Sequence, residues 1–197
     1  MAWHEPSRRY RIWYGCGDAT FDDSNLALCL ATSADGRAWD KENQTVVAGT
    51  NIVVDTPLRS NNVFAHPQAT DPSRRFVLGD TNGPHAPGES YWLWGSPDGV
   101  RWTAIRNETG KTSDRGTFWH DPFRRRWVFS IKGYLSGPAK VYGRHRMYWE
   151  TPDDDPFGSG VHWPSEGEGS PVLWAAADTL DQPGVCPGNC QHPEVKW

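Results

Sequence analysis

The sequence predicts an all-β fold, a β-propeller of about three blades, and three observations carry that prediction. Twelve Trp, twenty Gly and sixteen Pro stand among 197 residues, a mix of large aromatics and helix breakers that suits short strands joined by turns. No window carries a convincing helical stripe of apolar residues. One plan also recurs three times along the chain, and such periodicity marks repeat architectures.

The first element of the plan is an acid-Pro turn, a basic corner and an aromatic or β-branched strand. It reads Trp3-His4-Glu5-Pro6-Ser7-Arg8-Arg9-Tyr10, then Asp71-Pro72-Ser73-Arg74-Arg75-Phe76-Val77-Leu78, then Trp119-His120-Asp121-Pro122 leading to Arg126-Trp127-Val128-Phe129. The second element is Ser-x-Asp-Gly followed by Trp. It appears as Ser33 to Trp39 and Ser96 to Trp102, with a looser copy from Thr151 through Asp153 and Asp154 to Trp163. The closing tryptophans lie 63 and 61 residues apart, a period suited to a four-stranded blade with generous loops. In the Asp-Gly turn the Asp side chain binds nearby backbone and Gly supplies positive φ. The turn is therefore read as scaffold, and the Trp as the start of an outer strand packing between blades.

Ahead of each acid-Pro turn comes the expected innermost strand. It is Ser60-Asn61-Asn62-Val63-Phe64-Ala65-His66 in one copy and Ser113-Asp114-Arg115-Gly116-Thr117-Phe118-Trp119-His120 in the next. The blades are expected at about 1–50, 51–110 and 111–168. A further strand starts within 170–178, the partial propeller spans 1–181, and 182–197 forms a polar, cysteine-containing tail. An open propeller leaves unpaired strand edges, so self-association through them is expected.

Charge narrows the partners. The net charge is −4 with both signs dispersed, which argues against nucleic acid, and the short apolar runs argue against a membrane span. No signal peptide is visible at the N-terminus, and the compartment stays open. Cys16 and Cys29 fall in successive strands and read equally as a disulfide or as two buried thiols. Cys186 and Cys190 could close a small loop. A metal there, with His192, is disfavoured for want of a second ligand pair, so no metal or cofactor is expected. Asn43-Gln44-Thr45 and Asn107-Glu108-Thr109 are glycosylation sequons, relevant in a protein secreted by a eukaryote.

At these motifs the chain resembles the five-bladed propeller glycosidases of glycoside hydrolase families 32, 43, 62 and 68, and most of all an uncharacterised family 32-like branch. The resemblance rests on Ser60 to Val63, Asp71-Pro72, Ser96 to Trp102, Ser113 to Pro122, and Val172-Leu173 with Asp178 and Asp181, and it covers residues 5 to 181. It implies a sugar pocket on the propeller axis and an oligo- or polysaccharide substrate of furanoside or similar type. Glycosidases need two carboxyl groups across the scissile bond. The resemblance points to Asp114 as an axial carboxylate, with a strand-start cap as its plainer role.

The proton donor is expected to be Glu150, beside Tyr148 and Trp149, or Glu168. Asn61, Asn62, His66, Trp119, His120 and Trp149 are the expected sugar contacts, since amides pair with hydroxyls and aromatic faces stack on sugar rings. Asn61 and Asn62 serve equally well as strand-end caps. His4, His66 and His120 recur after an apolar or aromatic residue and read either as an axial ring or, more plainly, as turn histidines. Glu5 and Asp121 read as braces of the acid-Pro turns. Two alternatives remain: a non-catalytic carbohydrate-binding or scaffold propeller and, last, a sialidase-like protein.

Overall fold

The computed structural model describes residues 1–17, 26–58, 60–81, 90–106, 109–113, 115–134, 144–151 and 161–176. Twelve strands are assigned there. The first sheet contains β1 (Ala2–His4), β2 (Arg9–Cys16), β3 (Leu26–Ser33) and β4 (Ile52–Leu58). The second contains β5 (Ser60–Ala65), β6 (Phe76–Thr81), β7 (Tyr91–Ser96) and β8 (Thr103–Arg106). The third contains β9 (Thr117–Asp121), β10 (Arg126–Tyr134), β11 (Arg144–Glu150) and β12 (Val172–Ala175). Within each sheet the strands pair antiparallel in chain order. This is the four-stranded meander of a propeller blade, and the expected all-β partial propeller is observed.

Each blade buries its faces against its neighbours, so the core is two layers. Leu28, Leu30, Val53, Val54, Leu58 and Leu78 pack with Trp13, Val63, Trp94 and Trp102 between the first and second sheets. Val77, Tyr91, Leu93, Phe118, Trp127, Phe129 and Trp163 pack between the second and third. Strand alternation sorts these layers. On β6, Phe76 and Leu78 face one neighbour while Val77 faces the other.

The turns account for the repeat. In both Asp-Gly turns the serine hydroxyl accepts the N–H of the Asp and the Gly. The Asp carboxylate then accepts the next two N–H groups: Asp35 from Arg37 and Ala38, Asp98 from Val100 and Arg101. Gly36 and Gly99 take φ of 75° and 73°, where a side chain would be strained. Asp71 and Asp121 brace the acid-Pro corners by accepting the N–H of Ser73 and of Phe123 and Arg124. Glu5 differs: its carboxylate accepts the Trp3 indole N–H at 2.5 Å.

Two expected boundaries move. β4 closes the first sheet and β12 the third, so residues 52–58 do not open the second blade and 172–175 do not open a fourth. The closing Trp is followed at once by the outer strand only in the second blade. In the others a turn-rich stretch, 41–51 or 164–171, intervenes. Cys16 and Cys29 form a disulfide across β2 and β3, with Cα atoms 5.9 Å apart. The looser third turn (152–160) and the 182–197 tail lie outside the described residues.

Candidate functional site

The starts of the inner strands β5 and β9 gather one group of candidates. Alternation sends Asn61 and Asn62 to opposite faces of the second sheet. A Cβ placed on Gly15 of β2 would lie 3.8 Å from the Asn61 amide nitrogen, so Asn61 faces the first blade. Asn62 faces the third, where its carbonyl oxygen accepts the Phe118 N–H at 3.2 Å. Asn62 is thus a tie between inner strands.

Asp114 lies outside the described residues, but its flanks do not. Ser113 is buried, and a Cβ on Gly116 would fall 1.9 Å from the Tyr91 hydroxyl oxygen. Tyr91 is fully enclosed, and burial pushes its phenol up. The chain entering β9 is therefore held against the core.

A carboxylate not singled out in the sequence also sits here. Asp80 of β6 is fully buried and pairs in register with Asn61 on one side and Trp92 on the other. Its signal was an acid inside the apolar strand Phe76-Val77-Leu78-Gly79-Asp80-Thr81.

His66 and His120 come together at the opposite end of the inner strands. Their rings lie 4.3 Å apart, both are buried, and Trp127 packs against each at 5.2 and 5.4 Å. They form an aromatic plug between two blades. His4 does not join them: it shares a hydrogen bond with Ser7, and burial followed by the nearby Arg11 guanidinium holds its imidazole below the usual range.

Glu150 is placed at that same far end. It pairs in register with Val128, which pairs with Trp119, so it stands two strand spacings, about 10 Å, from the inner strand. Arg124 and Arg126 donate to its two oxygens at 2.7 and 2.9 Å, and Tyr148 donates a short hydrogen bond. Burial pushes this carboxyl up, but the Tyr148 hydroxyl and the two guanidinium groups outweigh it and hold the group below the ordinary range. An anion clamped in this way is a poor proton donor. Glu168 is exposed in the turn before β12, between Gly167 and Gly169, whose φ values are 88° and 80°.

The two tryptophans part company. Trp149 packs 4.8 Å from Trp163 and 5.7 Å from Phe129, and its indole donates to the Gly169 carbonyl at 3.0 Å. It is part of the wall between blades. Trp119 projects from the other face of the third sheet and meets Trp174 at 5.8 Å, with Tyr148 equally close to Trp174. That aromatic trio, with Trp174 51% exposed, joins residues far apart in sequence. Among the described residues no group of three or more His, Cys, Asp or Glu side chains could hold a metal ion. Cys186, Cys190 and His192 fall outside them.

No family model matches this chain, and no curated protein matches it. Among solved structures it is similar to the fructofuranosidase from Schwanniomyces occidentalis complexed with fructose. The TM-score is 0.53 at 17% identity, over 85% of this chain and 30% of that one. The likeness is one of fold, a β-propeller, and this chain spans under a third of the enzyme's length.

Proposed function

We propose that this chain is a carbohydrate-active propeller related to glycoside hydrolases, acting on furanosides or similar O-glycosides at the starts of its inner strands. The single observation behind this reading is the match of three successive blades to a propeller that binds fructose. The side-chain amides of Asn61 and Asn62 supply hydroxyl recognition in the proposal, and Asp114 supplies the axial carboxylate. Glu150 is left out as proton donor, because two arginines and Tyr148 hold it ionised at the far end of the blade. Glu168, His66, His120 and Trp149 also stand apart from the inner-strand starts.

Hydrolysis of aryl-furanosides and fructan or plant oligosaccharides tests the proposal, with Asp114→Asn as the diagnostic variant. Loss of turnover with the fold retained supports it; full activity in the variant overturns the role of Asp114. The placement of Glu150 and Glu168 favours a second reading, a non-catalytic carbohydrate-binding propeller, which predicts saturable sugar binding without turnover.

A further inference from the structure

We propose that Asn43 is an N-glycosylation site, modified in the oxidising compartment where the Cys16–Cys29 disulfide forms. Two independent observations meet here. The first is the disulfide, which joins adjacent strands of the first blade. Such bonds persist where thiols are not kept reduced, as along the secretory route. The second is the presentation of Asn43-Gln44-Thr45.

The sequon lies in the 40–51 connection, which is fastened at both ends. Asp40 and Thr32 exchange backbone hydrogen bonds of 2.8 and 2.9 Å. The Asn51 amide donates to the Tyr14 hydroxyl at 2.9 Å and the Leu30 carbonyl at 2.8 Å. Gln44 is the pinned residue of the triplet: its backbone N–H donates to the Thr50 carbonyl at 2.6 Å and its side chain to the Glu42 carbonyl at 3.0 Å. Asn43 and Thr45, on either side of it, are both exposed. The amide that would carry a glycan and the hydroxyl that recognition requires are thus both presented to solvent.

The second sequon is built differently. Thr109 is fully buried and its hydroxyl accepts the Tyr91 N–H at 3.0 Å, while its carbonyl accepts the Trp163 N–H at 2.8 Å. Its hydroxyl belongs to the core between the second and third blades, whereas Asn43 and Thr45 are both open to solvent.

The reaction draws on a lipid diphosphate-linked oligosaccharide as co-substrate. The Asn43 Nδ2 attacks the anomeric carbon, an N–C bond forms, and the C–O bond to the diphosphate breaks. The lipid diphosphate leaves with the electron pair, and the amide proton passes to a base of the transferring enzyme. No oxidant or reductant is needed.

The test is peptide mass mapping of the full chain secreted from a eukaryotic cell, before and after digestion with a glycan-releasing amidase. The expected result is a glycopeptide containing Asn43, read as Asp at that position after digestion, in protein whose Cys16 and Cys29 are oxidised. Asn43→Gln and Thr45→Ala abolish the glycan, and Thr45→Ser retains it. An unmodified Asn43 in oxidised protein overturns the proposal. So does a glycan confined to Asn107, or reduced thiols at Cys16 and Cys29.

Discussion

Alanine at Gly99 and alanine at Gly36 make a matched pair, because the two glycines occupy the same turn with nearly the same φ, 73° and 75°. The backbone penalty for a side chain in the left-handed region is therefore common to both, about 1–2 kcal/mol. The surroundings differ. A Cβ on Gly36 meets nothing nearer than Tyr10 Cδ2 at 3.8 Å, ordinary contact, whereas one on Gly99 falls 2.5 Å from Trp13 Cζ2.

Trp13 has little room to retreat, since its indole donates to the Gly99 carbonyl at 2.7 Å and its ring lies 5.2 Å from Phe76. Overpacking of this kind adds about 1–3 kcal/mol. Gly99→Ala should then cost that much more than Gly36→Ala, an extra fall in midpoint of roughly 2–12 °C for a chain of this size. Thermal and urea unfolding followed by tryptophan fluorescence read the difference. Equal losses in the two variants would refute the claim that the Asp98-Gly99 turn locks the second blade against the first.

Replacing both Cys16 and Cys29 by alanine, or reducing them, should destabilise the chain by about 3 kcal/mol through the freed loop entropy; an unchanged urea midpoint would contradict this. The Glu150 carboxyl has a depressed folded pKa. Its contribution is therefore present above its unfolded pKa and lost as pH falls through the folded value. Glu150→Gln should flatten part of the acid limb of stability against pH, and an unaltered limb would count against the arginine clamp. Val172, Leu173 and Trp174 of the edge strand β12 are 59%, 47% and 51% exposed, and the proposed self-association through open blade edges predicts a defined oligomer by light scattering after size exclusion. A monomer at every concentration would end that proposal.

The blade plan was legible because its signals are local. Ser33-x-Asp35-Gly36 and Ser96-x-Asp98-Gly99 satisfy their own backbone within six residues, so the same letters make the same turn twice. The blade limits were less legible. Trp39 and Trp163 are separated from their outer strands by turn-rich stretches, while Trp102 is not.

The site depended on longer-range facts. His66 and His120 recur at similar places, yet they face each other across a blade interface instead of ringing an axis. A shift of one position along a strand reverses the face a side chain occupies. Glu150 sits beside Tyr148 and Trp149 in sequence, but its chemistry is set by Arg124 and Arg126 from the preceding corner. Those arginines read in the sequence only as the basic corner of the repeat. Asp80 carried only a weak local signal, one acid in an apolar strand.

Calorimetric titration of the purified chain with a fructan-type oligosaccharide tests the central claim most directly, with Asn61→Ala and Asp114→Asn measured alongside. Saturable binding by the parent chain, weakened about tenfold or more in either variant with unfolding midpoints retained, is the predicted result. No binding by the folded parent, or equal affinity in all three proteins, would contradict a sugar site at the starts of the inner strands.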